Sequence, residues 1–124
     1  MNTKKNSKLK NSANSLYDVY VTPMQLHDYN KKIKLSEGVY DIASYENCFW
    51  LIDLILEEGP TLDTRLLTFE LERVKDDHFS LTCSFENGKL LYRQGNLNVN
   101  FYFDYLKILK KGKILCLPIE ENLY

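Results

Sequence analysis

Apolar positions in this chain change period near its middle. Before residue 60 they recur at three- and four-residue spacing, and after it they alternate with polar ones. The first pattern predicts helices and the second predicts strands with one wet face. Ser36-Glu37-Gly38-Val39 predicts a helix start, with Ser36 as cap and Glu37 at the positive end of the dipole. Val39, Ile42 and Ala43 follow as a buried stripe. Ser44 is placed to restart the helix, so that Tyr45, Phe49, Ile52 and Leu56 continue inward, flanked by Cys48, Leu51 and Ile55. Phe49, Trp50 and Ile52 are expected in the core. Gly59-Pro60 is a strong helix stop.

Beyond it, Leu67, Phe69 and Leu71 alternate with Thr68, Glu70 and Glu72. Phe79, Leu81, Cys83 and Phe85 alternate with Ser80, Thr82 and Ser84. Asp76-Asp77 and Asn87-Gly88 are turn signals. A two-residue Asn87-Gly88 loop would set Glu86 opposite Lys89, Phe85 opposite Leu90 and Cys83 opposite Tyr92, apolar beside apolar. Gly95 to Asn100 reads as a break. Phe101 to Leu109 reads as a strand, with Phe101, Phe103 and Tyr105 on one face and Tyr102 on the other. Lys110 to Lys113 then turns the chain into Ile114–Leu117, which Pro118 ends. The expected fold is α+β, with helices packed on one face of a four- or five-stranded antiparallel sheet of hairpins.

The first third is weaker. Residues 1–15 are Lys, Asn and Ser with almost no apolar side chains, so a disordered basic tail is expected there and a single domain over 16–124. Residues 16–22 fit an edge strand or a turn of helix. Met24, Leu26 and Tyr29 fit the inner side of a short helix. At 124 residues one core is the limit.

Charge sharpens the picture. The tail holds four lysines and no acid; residues 16–124 hold all 17 acids and the other 12 bases, so the body stands at −5. That argues against direct nucleic-acid binding, which needs a basic face. No apolar run approaches the roughly 20 residues of a membrane span, and no apolar stretch of a signal peptide follows the first lysines. Cys48, Cys83 and Cys116 lack metal or redox spacing and read as reduced, buried small hydrophobes of a cytoplasmic protein.

Five segments carry a resemblance: Ser36-Glu37-Gly38-Val39 with Ile42-Ala43; Cys48-Phe49-Trp50-Leu51-Ile52-Asp53; Leu81-Thr82-Cys83; Asn87-Gly88; and Leu115-Cys116-Leu117-Pro118-Ile119-Glu120. Over residues 36–120 the chain resembles a family of small proteins of bacteria, phages and plasmids without assigned activity. It departs between Asn96 and Asp104, where that family has a short polar turn with Pro. The resemblance implies a mobile-element setting and no residue roles.

No nucleophile elbow, phosphate loop or metal motif stands in the sequence, so no catalytic, metal or cofactor residue is assigned and no enzyme is expected. Asp53 fits a solvent stripe with Glu46 and Glu57, and Asp76-Asp77-His78 fits a turn. The aromatics are the better clue: nine tyrosines, six phenylalanines and one tryptophan are more than one small core absorbs. Exposed tyrosine is typical of protein-binding surfaces. Tyr102, Asp104 and Tyr105, with Glu70 and Glu72 as rim, are the expected partner-binding residues. The expected partner is a host protein or ribonucleoprotein complex. In the setting implied by the resemblance, that means an inhibitor of a host defence complex of the anti-CRISPR type. The alternatives are a nucleic-acid-associated accessory protein using the tail and aromatic strand, and a structural homodimer.

Overall fold

A computed structural model of the chain describes residues 12–30, 33–58 and 66–124. In chain order the elements are α1 (Ala13–Leu16), β1 (His27–Asp28), β2 (Lys34–Leu35), α2 (Glu37–Tyr45), α3 (Phe49–Glu58), β3 (Leu66–Lys75), β4 (His78–Phe85), β5 (Leu90–Asn98), β6 (Tyr105–Lys111), β7 (Ile114–Cys116) and a closing 3-10 helix (Pro118–Leu123). The α+β class stands. Among the described residues the sheet has seven strands rather than four or five, in the order β1-β2-β7-β6-β3-β4-β5. All pairs are antiparallel except β2 with β7, which run parallel.

Period-two alternation placed β3 and β4 correctly. Leu67, Phe69 and Leu71 are buried, as are Phe79, Leu81 and Cys83. Phe69 stands between Cys83 on one side and Ile108 on the other, Leu71 between Leu81 and Leu106. Val39, Ile42, Leu51, Ile52 and Ile55 of the helices belong to the same buried cluster. The α3 stripe is rotated from the expected one. Cys48, Leu51, Ile52 and Ile55 are buried, Phe49 and Trp50 are only partly so, and Tyr45 is exposed. The reason is a break: α2 ends at Tyr45, and Asn47 takes a left-handed φ of 55°, resetting the phase before α3 begins. The Gly59-Pro60 stop lies outside the described residues.

The second hairpin turns differently from the two-residue loop expected. The Gly88 N–H donates to Phe85 O at 2.9 Å, the Phe85 N–H to Lys89 O at 2.8 Å, and Gly88 has φ 89°. This is a three-residue turn closed by a glycine bulge. Leu90 therefore stands opposite Ser84, and an irregularity before Cys83 restores the expected Cys83–Tyr92 pair. The expected break at Gly95 is a second bulge, with Asn96 at φ 58°, and β5 runs through it to Asn98.

The tail expected over residues 1–15 lies outside the described residues as far as residue 11, but Ser12 to Ser15 form part of the fold. Along β6, strand β7 covers only Leu109 to Lys111, which leaves the edge of β6 open before them. Asn14 fills that edge. Its amide donates to Lys107 O at 2.9 Å and accepts from Lys107 N at 2.7 Å, while Ser12 bridges Tyr105 and Ala13 is buried. The short helix expected around Met24 is absent: Met24 is exposed, and His27–Asp28 pairs with Lys34–Leu35.

Ser36 caps α2 as expected, its Oγ accepting from Val39 N at 3.2 Å. It is joined by Glu120, which has no exposed surface. Glu120 Oε1 accepts from Ser36 Oγ at 2.5 Å and Leu117 N at 2.9 Å, and Oε2 from Gly38 N at 3.0 Å. A Cβ on Gly38 would lie 2.7 Å from both Glu120 Oε1 and a Leu117 methyl. Glu120→Ala strands two backbone N–H groups and a hydroxyl in a buried site. The expected loss is about 3 kcal/mol, from about 1–3 kcal/mol per orphaned group with some relaxation. Gly38→Ala should also lower the melting temperature, by overpacking. Calorimetric melts check both, and wild-type melting of either variant contradicts the account.

Candidate binding surface

Arg73, near the end of β3, builds the loop that precedes β6. Its backbone N–H donates to Asp104 O at 2.9 Å and its Nε to Asp104 Oδ1 at 2.6 Å. Nη2 donates to the carbonyls of Phe101 (2.7 Å), Phe103 (3.2 Å) and Tyr102 (3.3 Å). The guanidinium also lies 4.6 Å from the centroid of the Phe79 ring. One planar group with five donors thus satisfies carbonyls that a strand would have paired. This corrects the strand expected from Phe101: β6 begins only at Tyr105. Phe101 and Phe103 turn inward and are buried, which forces Tyr102 between them outward, 69% exposed. Its ring meets Phe103 edge-on at 5.0 Å.

Tyr102 faces the α2–α3 corner across an open groove of about 420 Å³ lined by Tyr45, Glu46, Asn47, Trp50, Val99, Asn100 and Tyr102. Tyr45 is 74% exposed. Trp50 is half-buried, edge-on to Phe101 at 6.4 Å. Glu46 caps the end of α2 and accepts from Tyr17 Oη at 2.9 Å.

Of the five residues expected to bind a partner, Glu70, Glu72 and Tyr105 are neighbours on the sheet face opposite Leu71. Glu72 stands opposite Tyr105, and Tyr105 donates a hydrogen bond to Glu70. Asp104 adjoins Tyr105 in the chain but is held by Arg73. Tyr102 stands apart in the groove, whose lining includes none of the other four. Sequence reading missed Tyr45 and Trp50 as surface residues because both sit inside an apolar block. The signal that could have found them was Asn47, a residue that tolerates the left-handed turn between two helices.

A second theme links tyrosines to acids. Tyr17 donates to Glu46, Tyr20 to Asp41 at 2.6 Å, Tyr29 to Asp53 and Tyr105 to Glu70. Asp53 is exposed, on the solvent side of α3 as expected. Burial, then the carboxylate partner, pushes the Tyr29 phenol up from 10.0 to about 12. The same causes hold Tyr17, Tyr20 and Tyr105 well above the ordinary value. His27 is paired with Glu37 at 2.7 Å and stacked on Tyr40 at 4.0 Å. All three cysteines are free and buried. Burial raises the Cys48 and Cys116 thiols to about 12 and that of Cys83 to about 11, so they are poor nucleophiles. Among the described residues no group of three or more His, Cys, Asp or Glu is placed to hold a metal ion, and no helix is long and apolar enough to cross a membrane.

Fold and groove together define a small α+β protein with an open aromatic surface. The chain belongs to a family of unknown function, DUF6876, which it matches over residues 10–121. Neither the curated proteins nor the solved structures give a match.

The phenol–carboxylate pairs predict an alkaline limit. A raised folded-state pKa stabilises the protein fully below the unfolded value, near pH 10, and loses that contribution as pH rises through the folded value. The melting temperature should fall from about pH 10 upward, in part through Tyr29, whose share ends near pH 12. Tyr29→Phe should fall less steeply over that interval. Superimposable pH profiles of wild type and Tyr29→Phe would remove Tyr29 from the account.

Proposed function

We propose that this chain is a non-enzymatic protein-binding factor that works without a cofactor. The observation that carries the reading is the pair of exposed tyrosines, Tyr45 and Tyr102, lining one groove together with Trp50. Aromatic side chains supply most hot-spot energy at protein interfaces, and a folded chain gains nothing by leaving two of them in water. We read the helices as covering the sheet face of Leu67, Phe69 and Leu71, so that Glu70, Glu72 and Tyr105 face outward as an acidic rim. Asp104 adjoins that rim. In this reading the rim steers a basic partner and the groove holds it.

In its most specific form, the partner is a host protein or ribonucleoprotein complex, and the chain is a phage- or mobile-element-encoded inhibitor of host defence, of the anti-CRISPR type. An acidic body of this size is suited to compete for a groove that otherwise holds nucleic acid.

Capture on the immobilised full chain from a host lysate, with mass spectrometry, tests the reading. Charge reversal at Glu72 should slow association with the captured protein and weaken its salt dependence. Tyr102→Ala should speed its dissociation by about tenfold or more, the scale of one interface hot spot. Full affinity in folded Tyr102→Ala and Glu70→Lys variants would sink the proposal. Sub-micromolar, steeply salt-dependent binding to generic RNA or DNA would favour the nucleic-acid accessory protein instead. Capture of only further copies of the chain would favour the homodimer.

A further inference from the structure

We infer that the groove between the α2–α3 corner and the loop before β6 is a receptor for an arginine side chain of the partner. The inference rests on the protein-binding reading and names the chemistry of its anchor. Four features of the groove point to a cation. Three aromatic residues line it, and the quadrupole of an aromatic face attracts positive charge, tryptophan most strongly. Those rings are not spent on each other among the described residues: Tyr102 pairs with Phe103 and Trp50 with Phe101. Glu46 is the one charged residue of the lining. Among the described residues only its Oε2 is used, by Tyr17, leaving Oε1 as an acceptor. Finally, the groove opens at the C-terminal end of α2, a nine-residue helix whose negative pole favours a cation.

The form of the groove selects among cations. It is an open cleft and not a closed cage, so a planar group that slides between rings suits it better than a spherical one. A guanidinium stacks flat on aromatic faces and still presents N–H donors at its edge to a carboxylate. Asn47 and Asn100 complete the polar part of the lining. The −5 charge of residues 16–124 favours the approach of a basic segment to this surface.

Trp50 is the only tryptophan in the chain, so tryptophan emission comes from a residue of the groove lining. Titration of the full chain with N-acetyl-arginine amide should give a saturable change in Trp50 emission. N-acetyl-citrulline amide has nearly the same shape without the charge and should bind at least about fivefold more weakly. Tyr102→Ala and Tyr45→Ala remove exposed rings, and Glu46→Gln keeps an acceptor for Tyr17. Each should weaken arginine binding by about two- to fivefold, the scale of one partly exposed cation–π contact. An equal response to citrulline, a stronger one to choline, or titrations unchanged in both Tyr102→Ala and Glu46→Gln would overturn the inference. The two readings separate cleanly. A captured partner that depends on Tyr102, with no arginine response, sinks the cation site and leaves protein binding standing. An arginine response without any Tyr102-dependent partner does the reverse.

Discussion

The fold depends on one buried carboxylate. Glu120 sits at the N-terminus of α2 with no exposed surface, and its two oxygens accept from Ser36, Gly38 and Leu117. A bare carboxylate would be expensive there. Three donors and the positive end of a helix make the site tolerable. What it holds together is non-local, since Ser36 and Glu120 lie 84 residues apart. Around them β2 pairs with β7, the one parallel pair in the sheet, and Ser36 N donates to Leu115 O at 2.9 Å. Strands β1 and β2 have two residues each, too few to persist on their own pairing. The carboxylate clamp is what makes that edge of the sheet a fixed place in the molecule.

This clamp also explains what could and could not be read from the sequence. The Ser36 cap, the β3–β4 alternation and the Asp76-Asp77 turn were legible because each is decided within a few residues. Glu120 was visible only as part of an ending, one acid among 17. Its burial depends on Gly38, whose missing side chain leaves room for it. Glu120 is marked locally as the N3 acid of the closing helix, where it takes Leu117 N, but nothing local marks its reach to Ser36 and Gly38. Asn14 is a similar case. It lies in a polar stretch that reads as tail, yet its amide completes the β6 edge that β7 is too short to reach. Strand extent was misread where a side chain replaces ladder bonds, at Phe101 to Asp104, or where a bulge absorbs a turn residue, at Gly95-Asn96.

The candidate surface was half legible for the same reason. A surplus of aromatics told that some must be exposed. Which ones depended on Arg73, whose guanidinium gathers the loop carbonyls and so decides that Phe101 and Phe103 point in and Tyr102 out. Tyr45 was assigned to the buried stripe because the phase reset at Asn47 is a backbone event, and hydropathy carries no trace of it.

The two organising charges frame the groove from a distance. One wall is the C-terminal end of α2, whose other end is anchored by Glu120. The facing wall is the loop that Arg73 holds. Neither charged residue lines the groove, and both are committed to backbone groups and to polar side chains, Ser36 for Glu120 and Asp104 for Arg73. The aromatic side chains between the walls are thereby fixed without contributing much to the core themselves, for Tyr45 and Tyr102 are mostly in water. The groove residues can then vary in such an arrangement while the frame stays put. Loss of Arg73 or Glu120 would disturb the surface through the backbone, as a change in where Tyr102 and Tyr45 stand. Truncation of either tyrosine would leave the frame intact and remove only the contact. That separation is what allows stability and the proposed recognition to be tested independently in this chain.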